Sequence, residues 1–511
     1  MISDWAAVAV ALVSVVILRY VVKRINRPNY FPGPPKLPYI GNLLQMPTTE
    51  GWVTYLNWQK AYGNQIYLEV MGQPLLILND YQSCVDLLEK RAENNSDRPQ
   101  TVVSNKIMGW ENTVVTCPYD DRWRRYRRLI SQSFRKSAVN QFFPIMEREV
   151  GRFLGALLEE PENYMEHFRF AAARSFLLNL YGIEIKTAND PLITVAEKAM
   201  EMAVVGAQPG NFLVDFFPSL QLFPEWFPGA GWKRFARIGK ELTEEMVNKP
   251  YNITVESMKS GHYEHSFVAS NLEKKEDPFQ VKWCSSTLLS AGTDTSVASM
   301  HSFFLAMTLH PEVQRKAQAE IDSVIGSDRL PLVDDREHLP YLNALLRELV
   351  RWQPVSPLAL PHQSMKDDVY KGHFIPAGTI ILGNSWATTR NPEIYENPEN
   401  FNPDRFLPMF DKSIPHKPED IPLDPMEYGF GYGRRICAGI HYAEAMFFIG
   451  MARVLATFDI KKAKGDDGIE ITPEINFNSS IVRETLPFKC SITSRSPAAR
   501  ALAVANSNVG L

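Results

Sequence analysis

The chain has little cysteine: five residues in 511, at positions 84, 117, 284, 437 and 490. None forms a Cys-x-x-Cys pair, and Cys437 with His441 supplies at most two ligands on one helix face, which argues against a zinc site. An odd, scattered set in a long chain also argues against a disulfide framework and for a reducing compartment. The sequons at Asn94, Asn252 and Asn478 are then expected to stay unmodified. An excess of one charge is missing too. With 54 Lys and Arg against 58 Asp and Glu, the net charge of −4 gives no field that would imply nucleic acid. After residue 40 there is no Gly/Ser linker, charge block, repeat or low-complexity tract, so one large domain is expected, with 45% hydrophobic residues to fill its core.

One apolar run does stand out. Trp5 to Leu18 carries no charge, and Arg19 is followed by Tyr20-Val21-Val22 and the basic residues Lys23, Arg24 and Arg27. The run is short for a bilayer helix. A snorkelling Arg19 would extend it to Val22, and the basic excess on its C-terminal side would keep the rest of the chain cytosolic. A cleaved signal peptide has a similar apolar core, but its positive charges precede that core. Residues 1–27 are therefore expected to be a membrane anchor with a basic stop. Proline then locks Phe31-Pro32-Gly33-Pro34-Pro35-Lys36-Leu37-Pro38 into extended geometry, which predicts a stiff hinge over 28–40.

Helical periodicity with Pro and Gly punctuation dominates from about 140 to 350, and β-rich runs occur at Ile66–Met71, Leu75–Asn79 and Thr379–Gly383. The pattern is mostly α, of α+β type, in a domain over 41–493 followed by a flexible tail over 494–511. From Lys282 to His310 no proline intervenes, enough for roughly 40 Å of helix at 1.5 Å per residue. Pro311 ends that helix and opens another.

The sharpest local signal is Phe430-Gly431-Tyr432-Gly433-Arg434-Arg435-Ile436-Cys437-Ala438-Gly439. Glycines let the backbone turn its N–H groups onto the sulfur, and a helix starting near Ala438 aims its positive end at it; both lower a thiol pKa. A dinucleotide loop fails on spacing, since Gly-x-Gly-x-x-Gly would need glycine where Ile436 stands. The run resembles the haem-binding loop of the cytochrome P-450 monooxygenases, Phe-Gly-x-Gly-x-Arg-x-Cys-x-Gly, at every fixed position. The resemblance spans nearly the whole globule. It implies the mostly helical cytochrome P-450 fold, with a long central helix over the haem and a small β-rich region. It also implies haem b as cofactor with Cys437 as axial ligand of the iron, and Phe430, Arg435 and Gly439 as cofactor-binding residues.

Other motifs gain meaning beside that loop. Inside the long helix, Ala291-Gly292-Thr293-Asp294-Thr295-Ser296 places a glycine that costs about 1 kcal/mol relative to alanine. Its neighbouring hydroxyls and carboxylate compete with the helical ladder. The stretch is similar to the family's oxygen-activation sequence. That resemblance implies a groove at Ala291 and Gly292 for dioxygen, with Thr295 and Asp294 as the catalytic residues feeding protons. A helix merely kinked by Gly and Thr is the alternative. Glu348 and Arg351 share a helix face. In the family such a pair joins the arginine of a Pro-x-Arg-Phe element, here Arg405, to pin a long proline-rich segment behind the haem. Trp123, Arg127, His362 and Arg435 match family positions that contact the haem propionates.

Arg122, Arg124, Arg125 and Arg128 cannot all face one haem. They form either a solvated face or a docking patch for an acidic electron donor. Only about seventy residues follow Gly439, too few for a flavin domain, and the family implies an NADPH-dependent cytochrome P-450 reductase as partner. Membrane-anchored members sit on the endoplasmic reticulum with a cytosolic catalytic domain. Walls expected from Val102–Cys117, Ala203–Phe217, Leu288–Ala291, Val355–Leu360 and Ser479–Val482 are largely apolar, which favours a lipophilic small molecule. The chain resembles fungal enzymes of secondary metabolism, with a terpenoid substrate favoured over an indole, polyketide or xenobiotic. An oxygen-independent isomerase or dehydratase of the family typically loses the Asp-Thr pair, and a haem-binding sensor needs no reductase patch. Finally, Phe212, Phe216, Phe217, Phe223, Trp226, Phe227 and Trp232 are interleaved with Pro218, Pro224 and Pro228. They read either as ordinary core or as a loop seated in a lipid interface.

Overall fold

A computed structural model describes residues 28–507 apart from Pro209, Glu419 and Asp420. The expected anchor at 1–27 lies outside the described residues. Among those residues, no helix is long and apolar enough to cross a membrane.

The α-helices of seven residues or more run in the order α1 Gly51–Tyr62, α2 Asp121–Phe134, α3 Phe143–Glu159, α4 Tyr164–Tyr181, α5 Pro191–Ala207 and α6 Trp232–Ser260. They continue as α7 Phe267–Glu273, α8 Pro278–Leu309, α9 Pro311–Val324, α10 Pro340–Trp352, α11 Ile440–Thr457 and α12 Pro497–Ser507. Strand β1 Gln65–Val70 pairs antiparallel with β2 Gln73–Leu78. With β3 His362–Gln363 and β6 Ile380–Gly383 they form a sheet of order β1-β2-β6-β3, in which β2 and β6 are parallel. Between β3 and β6 lies the hairpin of β4 Asp368–Tyr370 and β5 His373–Ile375. Near the C-terminus, β7 Phe458–Lys464 is flanked by β8 Glu470–Ile471 and β9 Cys490–Ser494. The expected mostly helical α+β architecture is therefore present.

The long helix α8 is the spine. It starts four residues earlier than the proline-free run suggests, because Pro278 fits the first turn and the Asp277 carboxylate accepts from Phe279 N–H. Phe303, Phe304 and Leu305 are fully buried against α4 and α11. Pro311 opens α9 as expected.

Both ends of the described chain pack on the domain. The segment 28–40, expected as a stiff hinge, is docked on the first sheet: Tyr67 N–H donates to Pro32 O, Gly41 bridges to Val70, and Tyr30 stacks on Tyr67. Gly33 permits this docking, since a Cβ there would lie 2.0 Å from Tyr67 O. The tail expected to be flexible forms α12 over Pro497–Ser507 and packs on α3, with Ala499 and Ala503 buried. Gly151 and Gly155 make room: Cβ atoms there would lie 2.7 Å from Asn506 O and 2.4 Å from Ser507 Cβ. A small-residue face on α3, distant in sequence, decides the fate of the tail.

Candidate functional site

Glycine is required at two points of the cysteine loop. Gly431 and Gly433 have φ of 83° and 54°, and a Cβ on Gly433 would lie 2.2 Å from Leu88 O. Cys437 N–H donates to Phe430 O at 2.8 Å and closes the loop. Helix α11 begins at Ile440 with Gly439 at its cap, two residues later than expected. Cys437 sits deep in the fold, yet its side chain is exposed, so the sulfur borders interior space. The half-exposed stretch Ala291–Thr295 interrupts the otherwise buried middle of α8 in the same manner.

The expected lowering influences on the thiol are present, but burial opposes them. Burial pushes Cys437 above the usual value, and the Gly439 N–H and the Arg127 guanidinium pull it down by less. A positive charge at the sulfur, such as an iron ion, would favour the thiolate.

Beside the loop the structure gathers cations. Arg127 donates to Ile436 O at 2.7 Å. Arg435 donates to Ser96 O at 2.8 Å, Val114 O at 3.3 Å and Cys117 O at 2.8 Å, with its guanidinium 4.8 Å from the Trp123 ring centre. Arg98, which the sequence reading missed, is buried and donates to Val115 O, Leu360 O and Pro361 O. Burial lowers the pKa of all three arginines; the neighbouring Arg435 adds to this at Arg98, bringing it to about 9, and Arg127 adds to it at Arg435. His362 is buried and held well below its usual pKa by burial and then by Arg98. Its Nδ1 lies 2.7 Å from Asn95 O, a carbonyl that only accepts, so Nδ1 carries the proton of the neutral ring. Among the described residues no carboxylate hydrogen-bonds Arg98, Arg127 or Arg435. Inward-lying arginines whose hydrogen bonds go only to carbonyls fit a dianionic group, and haem with its two propionates is one.

Behind this site Glu348 and Arg351 are fully buried and bidentate at 2.7 and 2.8 Å. Arg405 Nε lies 3.2 Å from Glu348 Oε2, and Asn402 N–H donates to Oε1. Arg351 also donates to Thr389 O, Pro398 O and Asn400 O, so the irregular segment hangs on this cluster.

On α8, Thr295 donates to Ala291 O at 2.9 Å, and the helix runs uninterrupted from Pro278 to Leu309. Gly292 departs from its expected place in the groove. A Cβ on it would lie 2.3 Å from the Phe176 ring, so its smallness serves the approach of α4. Asp294 pairs with Arg169 at 3.2 Å.

Arg124, Arg125 and Arg128 are exposed, whereas Arg122 donates to Asn112 Oδ1 and Glu111 O. The aromatic loop divides. Phe212 packs on Phe235 and Trp232 joins the core, but Leu222 is 88% and Trp226 81% exposed beside the stacked Phe223 and Phe227.

A sequence model of the family "Cytochrome P450" matches residues 31–491. Cytochrome P450 monooxygenase 208 of Postia placenta is 40% identical over 501 residues, 97% of this chain and 96% of its own. Cytochrome P450 monooxygenase claR of Ampulloclitocybe clavipes is 38% identical over 97% of this chain and 91% of its own. Tryptamine 4-monooxygenase of Psilocybe cyanescens is 35% identical over 93% of this chain and 94% of its own. A zebra fish cytochrome P450 solved with abiraterone shares the fold, with a TM-score of 0.69 at 20% identity over 87% of this chain and 100% of that one. The chain belongs to the cytochrome P450 family, as a monooxygenase with haem iron as its cofactor.

Proposed function

We propose that this monooxygenase inserts one oxygen atom of dioxygen into a neutral, lipophilic small molecule in fungal secondary metabolism, with a terpenoid favoured. The observation that carries the monooxygenase site is the cysteine at the end of a glycine-shaped loop beside arginines that, among the described residues, hydrogen-bond no carboxylate. Cys437 holds the iron, and Arg98, Arg127 and Arg435 with Trp123 orient the propionates. His362 joins them as a donor once those anions raise its pKa enough to protonate Nε2. Phe430 and Gly439 shape the loop around the sulfur. When bound, haem supplies the activation of dioxygen and the oxidation of the substrate C–H bond. Thr295 holds a water in the groove beside Ala291, and Asp294 passes protons to it. Glu348, Arg351 and Arg405 have a structural role.

A neutral substrate is supported by the fate of Asp215, a carboxylate within the expected pocket walls. Its Oδ1 accepts from Val102 N–H at 2.6 Å and Val103 N–H at 3.2 Å, so one of its two oxygens is committed to the protein backbone. The second reading is oxidation of an indole, favoured by the tryptamine 4-monooxygenase among the relatives. An NADPH-dependent cytochrome P-450 reductase supplies electrons and docks on exposed Arg124, Arg125 and Arg128, where complementary charge speeds encounter.

The test uses labelled dioxygen, reductase and NADPH with panels of terpenoids and indoles. One labelled oxygen atom should appear in the product. Thr295→Ala should leave haem and substrate binding intact while product per NADPH falls about tenfold or more and hydrogen peroxide rises, since a positioned proton-transfer group typically contributes about 10²–10⁴-fold. Unchanged coupling in that variant would remove Thr295 from the proton path.

The endoplasmic reticulum is the proposed location, with residues 1–27 as a single-pass anchor and the catalytic domain in the cytosol. Leu222, Phe223, Trp226 and Phe227 form a second lipid contact guarding a substrate entrance, because rings with one wet edge favour the bilayer interface. A protein beginning at Tyr30 should then still sediment with phospholipid vesicles, and Phe223→Asp with Phe227→Asp should release it. Fully soluble behaviour of the shortened parent would count against the contact.

A further inference from the structure

A cavity of about 300 Å³ opens between the first turns of α6 and the turn Pro218–Leu222. Ile107, Gln221, Trp232, Lys233, Arg237 and Lys240 border it, so half of its wall residues are cations and none is acidic. Positions 233, 237 and 240 follow one another at single-turn spacing on α6 and share a face. Lys233 Nζ donates to Gln221 O at 2.8 Å and lies 5.5 Å from the Trp232 ring centre. The other two cations have only loose partners. Arg237 is 3.6 Å from Glu225 and 3.6 Å from Glu241, and Lys240 is 3.8 Å from Glu244, all of them exposed side chains. Those separations exceed hydrogen-bond distance, and exposed pairs of this kind contribute little. Further along the same helix, Lys249 and Glu245 do close to 3.0 Å.

Phosphate is the group that such a wall suits, because its oxygens accept charge-assisted bonds from several Lys and Arg donors at once. The source of that phosphate follows from what adjoins the cavity. Gln221 leads directly into Leu222, and Leu222, Phe223, Trp226 and Phe227 are all exposed. Aromatic rings favour the membrane interface, and Lys and Arg favour anionic headgroups. An apolar tip and a cationic cavity on one short segment thus match the two halves of a phospholipid. A soluble phosphate would engage only one of them.

We propose that Lys233, Arg237 and Lys240 bind the phosphate of an anionic phospholipid whose acyl chains lie along Leu222, Phe223, Trp226 and Phe227. The inference rests on the reading of that loop as a lipid contact and adds the kind of lipid it selects. The headgroup draws Arg237 and Lys240 away from Glu225, Glu241 and Glu244. Lys233 has three N–H donors, so it serves the phosphate while keeping its bond to Gln221 O. The cavity therefore keeps its shape when filled, and added salt should weaken the binding because its charges meet at the surface.

The test uses the full-length holoenzyme in a non-ionic detergent. Phosphatidic acid and phosphatidylcholine with the same acyl chains are supplied in equal amounts, and bound lipid is counted by native mass spectrometry. Phosphatidic acid should be retained about tenfold or more over phosphatidylcholine, given three Lys and Arg side chains at the headgroup. The triple variant Lys233→Gln, Arg237→Gln and Lys240→Gln should lose that preference while haem content and Tm stay near the parent's. Arg237→Gln with Lys240→Gln, which leaves the partly buried Lys233 in place, should lose part of it. The combination Lys23→Gln, Arg24→Gln and Arg27→Gln removes the other basic cluster and should keep it. A preference that survives the triple variant, or that is lost only with residues 23, 24 and 27, overturns the inference. So does displacement of the lipid by an equal concentration of inorganic phosphate, which would make the cavity a free-phosphate site. Phosphatidic acid held by Phe223→Asp with Phe227→Asp but not by the triple variant overturns instead the lipid-contact reading and the placement of the acyl chains, and supports the headgroup site.

Discussion

Cys437→Ser is expected to abolish the long-wavelength Soret band of the reduced carbon monoxide complex completely. The band reports a thiolate opposite the carbon monoxide, and a serine hydroxyl in this pocket offers a hard, protonated oxygen instead. The substitution isolates that change. The loop is shaped by Gly431 and Gly433 and closed by the backbone bond from residue 437 N–H to Phe430 O, none of which involves the sulfur. The variant should therefore fold and retain the cationic pocket of Arg98, Arg127 and Arg435. Haem content by the pyridine haemochrome method, taken alongside the difference spectrum, separates loss of ligation from loss of cofactor. A variant that binds haem and keeps the band would refute Cys437 as the axial ligand.

Glu348→Ala should fail earlier, as protein that is unfolded or free of haem. The carboxylate is fully buried and meets Arg351 in two hydrogen bonds, Arg405 at 3.2 Å and Asn402 N–H at 2.6 Å. An exposed pair at this spacing would be worth only about 0.2–0.5 kcal/mol. Removing one partner of a buried pair instead leaves the other charge uncompensated, at a cost of about 3–5 kcal/mol. Against a total stability of about 5–15 kcal/mol, that is enough to depopulate the native state. The irregular segment from Thr389 to Arg405 loses its anchor at the same time. Haem-to-protein ratio and Tm measure the outcome. A variant with wild-type haem content and a Tm within a few degrees of the parent would show that the carbonyls around Arg351 suffice.

The cysteine loop was legible because its chemistry is local. Gly431, Gly433 and Cys437 lie within seven positions, and the turns they impose follow from the glycines' own conformations. Helix α8 was legible for a similar reason: from Lys282 to His310 nothing in the sequence stops it. Its start was not, since Asp277 and Pro278 act as a cap and first turn that a search for proline-free stretches passes over. The pairing of Glu348 with Arg351 was visible as spacing, whereas its burial, which turns a marginal contact into a critical one, was not. Arg98 gave no signal, being one arginine in a loop beside Asp97. It becomes part of the site only when the folded chain sets it against Leu360, Pro361 and Arg435.

Gly292 and the C-terminal tail show the limit most clearly. The glycine was assigned to a ligand groove by its motif, but which way a missing Cβ faces depends on helix packing, and Phe176 of α4 stands there. The tail looked like an untethered end, but Gly151 and Gly155, more than three hundred residues earlier, offer a groove that α12 fills. By itself the sequence determined the family's cysteine loop, the helical class and the candidate residues, because glycine conformation, proline placement and side-chain chemistry are properties of short segments. Only the tertiary structure decided which cations meet no carboxylate, which pairs are dry and what Asp294 touches. Those depend on burial and on contacts between segments far apart in the chain, and no local pattern encodes either.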